Sequence, residues 1–200
     1  VRTDGLGKAY GLEFFAQKKL TDRFFGIVSY TFYRSLYNGT NGQYAPSSWD
    51  NRQLLPMTVG YKFKRNWEVG LKFRYQGGDT YTSFDENLYR INYLSQGICT
   101  PDYMRVNSQR LSSFNSSDLR IDKKWNFRHT SIDLFLDVSN WYLAKNPAIP
   151  EYTFERTADN TAFKTSDGLA IQPDGRNAIP TRVKNDDPFF TPSIGLIVEF

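Results

Sequence analysis

Cysteine, histidine and long apolar runs are all scarce in this sequence, and each scarcity excludes a class of structure or chemistry. The single cysteine, Cys99, excludes an internal disulfide framework. The single histidine, His129, leaves no His and Cys set for a metal ion and no base beside a serine nucleophile, so we expect no cofactor and no catalytic residue. No run of 18 or more apolar residues is present, which excludes a transmembrane helix.

Charge and aromatic content further limit the class of protein to which this chain can belong. The 25 Lys and Arg residues only slightly outnumber the 21 Asp and Glu residues, and they are scattered along the chain. Nucleic-acid binding requires a basic patch or stripe, so we expect no nucleic-acid partner. The unusual feature is 16% Phe, Tyr and Trp in a chain that is polar overall, because soluble cores are mostly aliphatic.

Apolar and polar residues alternate along most of the chain, which predicts β-strands. In WEVGLKFRYQ, residues 67–76, five apolar side chains lie on one face and five small or polar residues on the other. Similar alternation predicts seven strands in total, most of about ten residues or more. They cover residues 9–20, 24–36, 54–63, 67–76, 116–125, 130–142 and 192–200.

The connections between these strands are alternately short and long. Short polar turns cover residues 21–23, 64–66 and 126–129, whereas the other connections have about 17, 35 and 46 residues, and structureless loops of the latter lengths are rare in compact soluble domains. All the short turns therefore lie at one end of the sheet. A soluble sheet with one solvent-exposed face also has alternating apolar and polar residues. Short turns at one end of the sheet and long loops at the other, however, are typical of an outer-membrane β-barrel. We read 151–156, EYTFER, as an extension of the sixth strand above the membrane.

A lipid environment fixes which face of each strand points outward. A Lys or Arg facing lipid at the membrane midplane costs about 2–4 kcal/mol, so Leu71 and Phe73 are predicted to face lipid. The predicted lumen-facing residues are Glu13, Lys72, Arg74, Arg120, Asp122, Asp133 and Asp137. Asp133 and Asp137 lie four residues apart on one strand, roughly 13 Å, which is too far for paired-carboxylate catalysis.

Seven strands do not close a barrel, because single-chain bacterial barrels have an even number of strands and at least eight. An open sheet would leave unpaired amides in hydrocarbon. The polar start of the chain, without a signal peptide, favours a C-terminal segment of a larger barrel. We therefore expect residues 1–200 to be an all-β, transmembrane, antiparallel barrel segment whose earlier strands are absent.

Five stretches in this order resemble the C-terminal strands of TonB-dependent outer-membrane receptors, particularly those of Bacteroidetes. They are AYGLEFFAQKKLTDRFFGIVSYTFYRS, YKFKRNWEVGLKFRYQGGDTYT, NSQRLSSFNSSDLRIDKKWNF, LFLDVSNWYLAKNP and TPSIGLIVEF. The resemblance implies a 22-stranded barrel, of which these are the last seven strands. It also implies an N-terminal plug that engages the TonB complex, and active uptake of a siderophore, haem, cobalamin, glycan or peptide.

The same resemblance implies an orientation and further partners. The long loops would be extracellular and the C-terminus periplasmic, in contact with lipid and lipopolysaccharide, and a surface lipoprotein is a further candidate partner. The terminal aromatic, Phe200, resembles the signal that the barrel-assembly machinery recognises. From their composition, the long loops offer Tyr44, Trp49, Tyr81, Tyr103 and Arg105 as ligand contacts.

Two other functions are compatible with a barrel. One is a structural or adhesion barrel, in which the long loops bind a surface without TonB coupling. The other is an outer-membrane enzyme, which would require a Ser/His or Asp/His set in the lumen or at the rim. His129 lies in a short turn, at the opposite end from the long loops, and this position argues against an enzyme.

Overall fold

The computed structural model describes residues 5–38, 42–96, 100–183 and 187–200. Cys99 lies outside these residues. The described chain is dominated by β-strands joined into antiparallel sheets, as the alternation predicted. The strands are β1 (Leu6–Thr21), β2 (Phe24–Asn38), β3 (Tyr44–Pro46), β4 (Gln53–Lys62), β5 (Trp67–Gln76), β6 (Thr80–Tyr81), β7 (Gln109–Arg110), β8 (Phe114–Asn126), β9 (Ser131–Ser139), β10 (Glu151–Phe154), β11 (Pro180–Val183) and β12 (Thr191–Glu199).

One main sheet contains all seven predicted strands. Its order is β1-β2-β4-β5-β8-β9-β12, and the short β3 pairs with the end of β2. Each long strand thus lies beside the long strands that precede and follow it in the chain. β5 has the predicted bounds, and the other six differ from the prediction by a few residues. The pairs β6-β7 and β10-β11 form two small separate sheets.

The short turns are closed by local hydrogen bonds. The Phe63 amide donates to the Trp67 carbonyl at 2.8 Å, and the Phe127 amide donates to the Thr130 carbonyl at 2.8 Å. Arg65 and Asn66 both have a positive φ, near 60°, and two such residues in succession give the backbone twist that suits a tight hairpin. The short turns join the antiparallel neighbours β1 and β2, β4 and β5, and β8 and β9, so they all lie at one end of the main sheet.

The prediction that residues 151–156 extend the sixth strand is wrong. β9 ends at Ser139, and β10 pairs with β11 rather than continuing the main sheet. The chain turns at Asn140, which has a φ of 52° and whose side chain closes the turn on itself. Its Oδ1 accepts from the Ala144 amide at 2.9 Å, and its Nδ2 donates to the Ala144 carbonyl at 3.1 Å.

The second long loop contains a helix that strand alternation did not predict, α1 (Glu86–Gln96). Asp85 begins it: its carboxylate accepts from the Leu88 amide at 3.0 Å, which is the usual role of an N-cap residue. The long connections are thus partly structured rather than structureless. Within the described part of the chain, no helix is both long and apolar enough to cross a membrane.

The two faces of the main sheet differ sharply in polarity. One face carries rows of directly opposed apolar side chains, such as Tyr61, Val69, Ile121, Leu136 and Ile194 across five strands. Tyr61, Leu136 and Ile194 are exposed, Ile194 to 76%, and Val69 and Ile121 are half-buried. The opposite face carries most of the charged residues of the central strands. We call the first surface the apolar face and the second the polar face.

The buried hydrophobic core lies away from the main sheet. Among the described residues, Tyr89, Phe154 and Ala178 form this core, with Leu94, Phe163 and Ile171 packed against it. All six belong to the two longest loops. The main sheet itself is open, since in the described chain β1 pairs only with β2 and β12 only with β9.

Candidate functional site

The strand register brings most of the predicted lumen-facing residues together on the polar face. Lys72 lies opposite Asp118, Arg120 lies opposite Asp137, and Lys124 lies opposite Asp133. Together with Asp122 they line a depression of about 700 Å³. The two remaining candidates lie outside it: Arg74 is bound to Asp118, and Glu13 lies on the edge strand β1, where it accepts from the Ser29 hydroxyl at 3.1 Å.

Four ion pairs neutralise part of the charge on the polar face. Ion pairs join Arg74 to Asp118 at 3.3 Å, Lys62 to Glu68 at 3.4 Å, Arg120 to Asp122 at 2.7 Å and Lys124 to Glu199 at 2.8 Å. Each pair is partly exposed and screened by solvent, so it contributes little to stability. The face is therefore hydrophilic without a large excess of either charge.

Arg120 is held in position by an aromatic ring as well as by its carboxylate partner. Its guanidinium lies 4.0 Å from the centroid of the Phe135 ring, a cation–π contact. The Phe135 ring lies in turn over Gly195 of the neighbouring strand, where a Cβ atom would approach the ring to 2.2 Å. Phe25 covers Gly60 in the same way. Two glycines thus make room for rings on an otherwise charged surface.

Aromatic residues line both ends of the apolar face. At the short-turn end, Tyr61 and Phe63 pack edge to face with ring centroids 4.7 Å apart, and Trp67 and Trp125 are exposed nearby. At the loop end, the Tyr30 hydroxyl donates to Gln53 at 3.4 Å, and the Tyr75 hydroxyl lies 3.1 Å from the Ser113 hydroxyl. Aromatic side chains with one polar end suit a boundary between water and an apolar phase.

At the loop end, Asp50 joins two long loops. Its carboxylate is fully buried, and it pairs with Arg34 at 3.1 Å and with Arg110 at 2.9 Å, while the Ser35 amide donates to it at 2.7 Å. Arg52 lies farther away, at 3.8 Å. Burial raises the pKa of Asp50, but the Ser35 amide and the arginines outweigh it, so the pKa lies below its usual value. We call Asp50 with Arg34 and Arg110 the Asp50 clamp.

Further hydrogen bonds strengthen the contact between these two loops. The Thr80 hydroxyl donates to the Ser47 carbonyl at 2.7 Å, and the Asn107 side chain donates to the Pro46 carbonyl at 3.0 Å. Asn51 donates to the Gly77 carbonyl at 3.3 Å and also binds Asp79. The first and second long loops are therefore tied together along most of residues 46–51.

The second and third long loops share one core. Tyr89 on α1 packs against Phe154 on β10, with ring centroids 5.3 Å apart. Gly175 lies against the backbone of Arg90, where a Cβ atom would come within 2.4 Å of the Arg90 carbonyl oxygen. The Arg90 guanidinium also donates to the Arg176 carbonyl at 3.1 Å. We call this packed pair of loops the lid.

A pocket of about 390 Å³ opens between the two halves of the lid. The second loop and α1 contribute Tyr81, Ser83, Phe84, Tyr89 and Arg90, and the third loop contributes Pro150, Tyr152 and Pro180. Phe84 and Tyr152 pack edge to face across the pocket, with centroids 5.5 Å apart. This volume and its largely aromatic lining, with a single cation, are typical of a small-molecule site.

Of the five predicted loop contacts, only Tyr81 lines this pocket. Tyr44 lies under the Lys8 ammonium, 4.0 Å from its ring centroid, and Arg105 is bound to Asp102 at 2.6 Å. Trp49 and Tyr103 are 78% and 74% exposed, respectively. Sequence reasoning missed Phe84, Arg90 and Tyr152 because their proximity depends on α1 and β10, which the alternation pattern did not predict.

The described residues contain no cluster of three or more His, Cys, Asp or Glu side chains able to hold a metal ion. No family model matches the sequence, and no curated protein matches it either. The described residues thus present three surfaces: a charged face, an apolar face and an aromatic pocket between two loops.

Proposed function

We propose that this chain forms seven neighbouring strands of a bacterial outer-membrane β-barrel, in a TonB-dependent receptor that imports a nutrient. The observation that carries the proposal is the apolar face, whose apolar side chains stay at least partly exposed from β1 to β12 between two rows of aromatic residues. A contiguous apolar surface of this extent is costly in water and marks a site of contact with another apolar phase. A lipid bilayer fits its alternation, its aromatic margins and its strand lengths.

The distribution of charge supports the same environment. Ion pairs occupy the polar face, whereas the centre of the apolar face carries rows such as Val59, Leu71, Leu119 and Val138. In a barrel, the polar face lines the lumen. The depression around Arg120 and the charges beside it would then contact a polar plug, since barrels of about 22 strands have a plugged lumen.

The open edges require further strands in this environment. Backbone amides of β1 and β12 that lack partners would be unsatisfied in hydrocarbon, where only helices and closed barrels are stable. Pairing with additional strands of the same protein removes both edges. The count of 22 strands, the plug and the TonB complex as partner come from the resemblance of the sequence to TonB-dependent receptors.

The lid fits the part of such a receptor that meets the substrate first. With the short turns in the periplasm, the long loops and the lid pocket face the outside of the cell. The pocket accommodates a group with an apolar ring face, and Arg90 favours an anionic substituent on it. A siderophore, haem, cobalamin, glycan or peptide remains the proposed class of cargo.

Arginine substitutions on opposite faces of the same strands test the membrane assignment. Leu71→Arg and Leu136→Arg place a charge on the apolar face, and Thr58→Arg and Ser193→Arg place the same charge on the polar face. We expect the first pair to lower the amount of the intact gene product in outer-membrane fractions severalfold, because each costs about 2–4 kcal/mol in lipid. Equal loss from both pairs, or normal levels of all four, would contradict the proposal.

Growth separates transport from the alternative, a structural or adhesion barrel. We expect a strain that lacks the gene to grow poorly when one nutrient of the proposed classes is limiting, and an intact copy to restore growth only in cells with a working TonB complex. If the protein resides in the outer membrane but its loss affects surface attachment and no nutrient requirement, the adhesion function is correct instead.

A further inference from the structure

The short turns of the main sheet carry an excess of positive charge. Residues 21–23, 63–66 and 127–130 contain Arg23, Lys64, Arg65 and Arg128, against a single carboxylate, Asp22. All of these residues are exposed. Since the three turns lie at the same end of the sheet, the cations form a row along one margin rather than converging on one point.

A fifth cation, Lys123, lies on the apolar face beside these turns. In the sheet register Lys123 is opposite Trp67 on one side and Leu134 on the other. Its ammonium lies 5.3 Å from the Trp67 ring centroid and 5.5 Å from the Trp125 ring centroid, and it donates to the Arg65 carbonyl. The aliphatic stem thus follows the apolar face while the charge reaches the turn, the arrangement of a lysine at a membrane boundary.

These cations are not neutralised by the protein. Within the described ranges, Arg23, Lys64, Arg65, Lys123 and Arg128 form no ion pair with a carboxylate, whereas the neighbouring Lys62 and Lys124 of the polar face are paired. The nearby carboxylates Glu68 and Glu199 are the partners in those two pairs. The five unpaired cations, which we call the basic rim, therefore present a net positive charge next to the aromatic margin.

We propose that the basic rim binds the phosphate groups of anionic phospholipids in the leaflet at the short-turn side of the membrane. This inference rests on the proposed function, since it requires the apolar face to lie in a bilayer. A row of basic residues directly outside an apolar surface attracts anionic headgroups, and the attraction falls off within about 10 Å at ordinary salt. The acyl chains of the same lipids would cover the apolar side chains beside Trp67 and Trp125.

A lipid headgroup suits this arrangement better than a free phosphate ion does. A site for one small anion gathers several donors around a single point, as bound phosphate requires. Here the cations are spread over three turns. Lys123, whose position is the best defined, lies between two tryptophans at the edge of the apolar face. Several lipids side by side match a row of separate charges.

Energy transfer from tryptophan to labelled lipid tests the inference on the intact gene product in nanodiscs. The donors are Trp67 and Trp125, and the acceptors are dansyl-labelled phosphatidylglycerol or phosphatidylcholine at equal mole fraction. A Trp67→Phe/Trp125→Phe variant gives the signal of the remaining tryptophans for subtraction. We expect at least about a fivefold preference for phosphatidylglycerol, the factor that corresponds to one basic residue near an anionic surface. The preference should decrease as salt is raised, and excess inorganic phosphate should not abolish it.

Two variants with the same change in net charge separate the basic rim from a general charge effect. Lys64→Gln/Arg65→Gln/Arg128→Gln removes three cations of the rim, and we expect it to lose the preference. Lys145→Gln/Arg176→Gln/Arg182→Gln removes three cations from the lid side, and we expect it to keep the preference. Equal transfer from both lipids in the unmodified protein, loss of the preference to inorganic phosphate, or a preference that survives in the rim variant, would each overturn the inference.

The same experiment distinguishes this inference from the proposed function. A protein that enters nanodiscs but shows no preference between the two lipids contradicts the basic rim alone. A protein that does not enter a bilayer, judged by full susceptibility of its main-sheet strands to added protease, contradicts both.

Discussion

The carboxylate of Asp50 and the guanidinium of Arg110 lie 2.9 Å apart, although 60 positions separate them in the chain. Asp50 is fully buried, and Arg34 reaches it from the main sheet at 3.1 Å. Removing one member of a buried set of paired charges is costly, because the remaining charges are then left uncompensated. The two loops that meet at Asp50 are therefore held as one unit with the end of β2.

We predict that Asp50→Asn loosens both loops. The change leaves Arg34 and Arg110 without a buried counter-charge and should cost about 3–5 kcal/mol of stability. Limited proteolysis should show faster cleavage between residues 77 and 113, and thermal unfolding should begin at a lower temperature. Arg105→Gln is the control, since Arg105 is 68% exposed in its pair with Asp102, and it should leave both measurements close to those of the unmodified protein.

The lowered pKa of Asp50 predicts an acid limit for this clamp. A carboxylate whose folded-state pKa is below its unfolded value of about 3.9 contributes stability that is complete well above that pH. The contribution decreases as the pH falls below the unfolded value and is lost once the pH passes through the folded-state pKa. Near-ultraviolet circular dichroism of the loop aromatics should change in this acid window, and Asp50→Asn should remove that part of the change. A midpoint near neutral pH would contradict the assignment to Asp50.

We predict that Gly195→Val disrupts the position of Arg120. A Cβ atom at Gly195 would lie 2.2 Å from the Phe135 ring, so the ring must shift and its contact with the Arg120 guanidinium is disturbed. Overpacking of this kind costs typically about 1–3 kcal/mol, which thermal unfolding would detect.

Two companion variants make this prediction specific. Gly70→Ala lies on the same polar face but meets only the Arg120 Cβ atom, at 4.0 Å, so it should be tolerated. Combining Gly195→Val with Phe135→Ala removes the clash and should recover part of the lost stability. If the double variant is no more stable than Gly195→Val alone, contact with the ring is not the cause.

The strands could be predicted from the sequence because alternation is visible within a short stretch of residues. The site could not be predicted, because it depends on contacts between residues that are far apart in the chain. Residues 67–76 alternate without an exception, and β5 has these bounds. Among the α1 side chains that the structure describes, Tyr89 is deeply buried, and its partner Phe154 lies far along the chain on β10. Asp50 looks like any loop carboxylate in SSWDNRQ, since Arg34 and Arg110 approach it only after the sheet has formed.

We predict that the lid pocket contributes to uptake. Tyr152→Ala removes one aromatic wall and the contact with Phe84, so the nutrient concentration that supports half-maximal growth should rise about tenfold, the equivalent of one stacking contact of about 1.4 kcal/mol. Tyr103→Ala is the matched control, because Tyr103 is 74% exposed and lies outside the pocket. Both variants should reach the outer membrane at normal levels. Equal growth of the two would mean that the cargo does not use this pocket.

We predict that removal of Phe200 impairs assembly and leaves ligand affinity intact. Phe200 is completely exposed just after β12, so it contributes no packing within the described chain. Its proposed role is recognition by the barrel-assembly machinery. Quantitative immunoblotting of outer-membrane fractions should show a several-fold decrease for the deletion and a small effect for Phe200→Tyr. Normal levels of the deletion variant would refute this role.

The separate β10-β11 sheet bears on how β12 reaches its place. β12 pairs with β9 only after the chain from Ser139 to Thr191 has returned to the sheet. The entropic cost of closing such a loop increases with its free length, and pairings between distant segments form slowly for the same reason. β10 and β11 bring Glu151 next to Val183, so most of the intervening chain is already folded back on itself. Pairing of β10 with β11 thus shortens the free loop that must close before β12 can pair with β9.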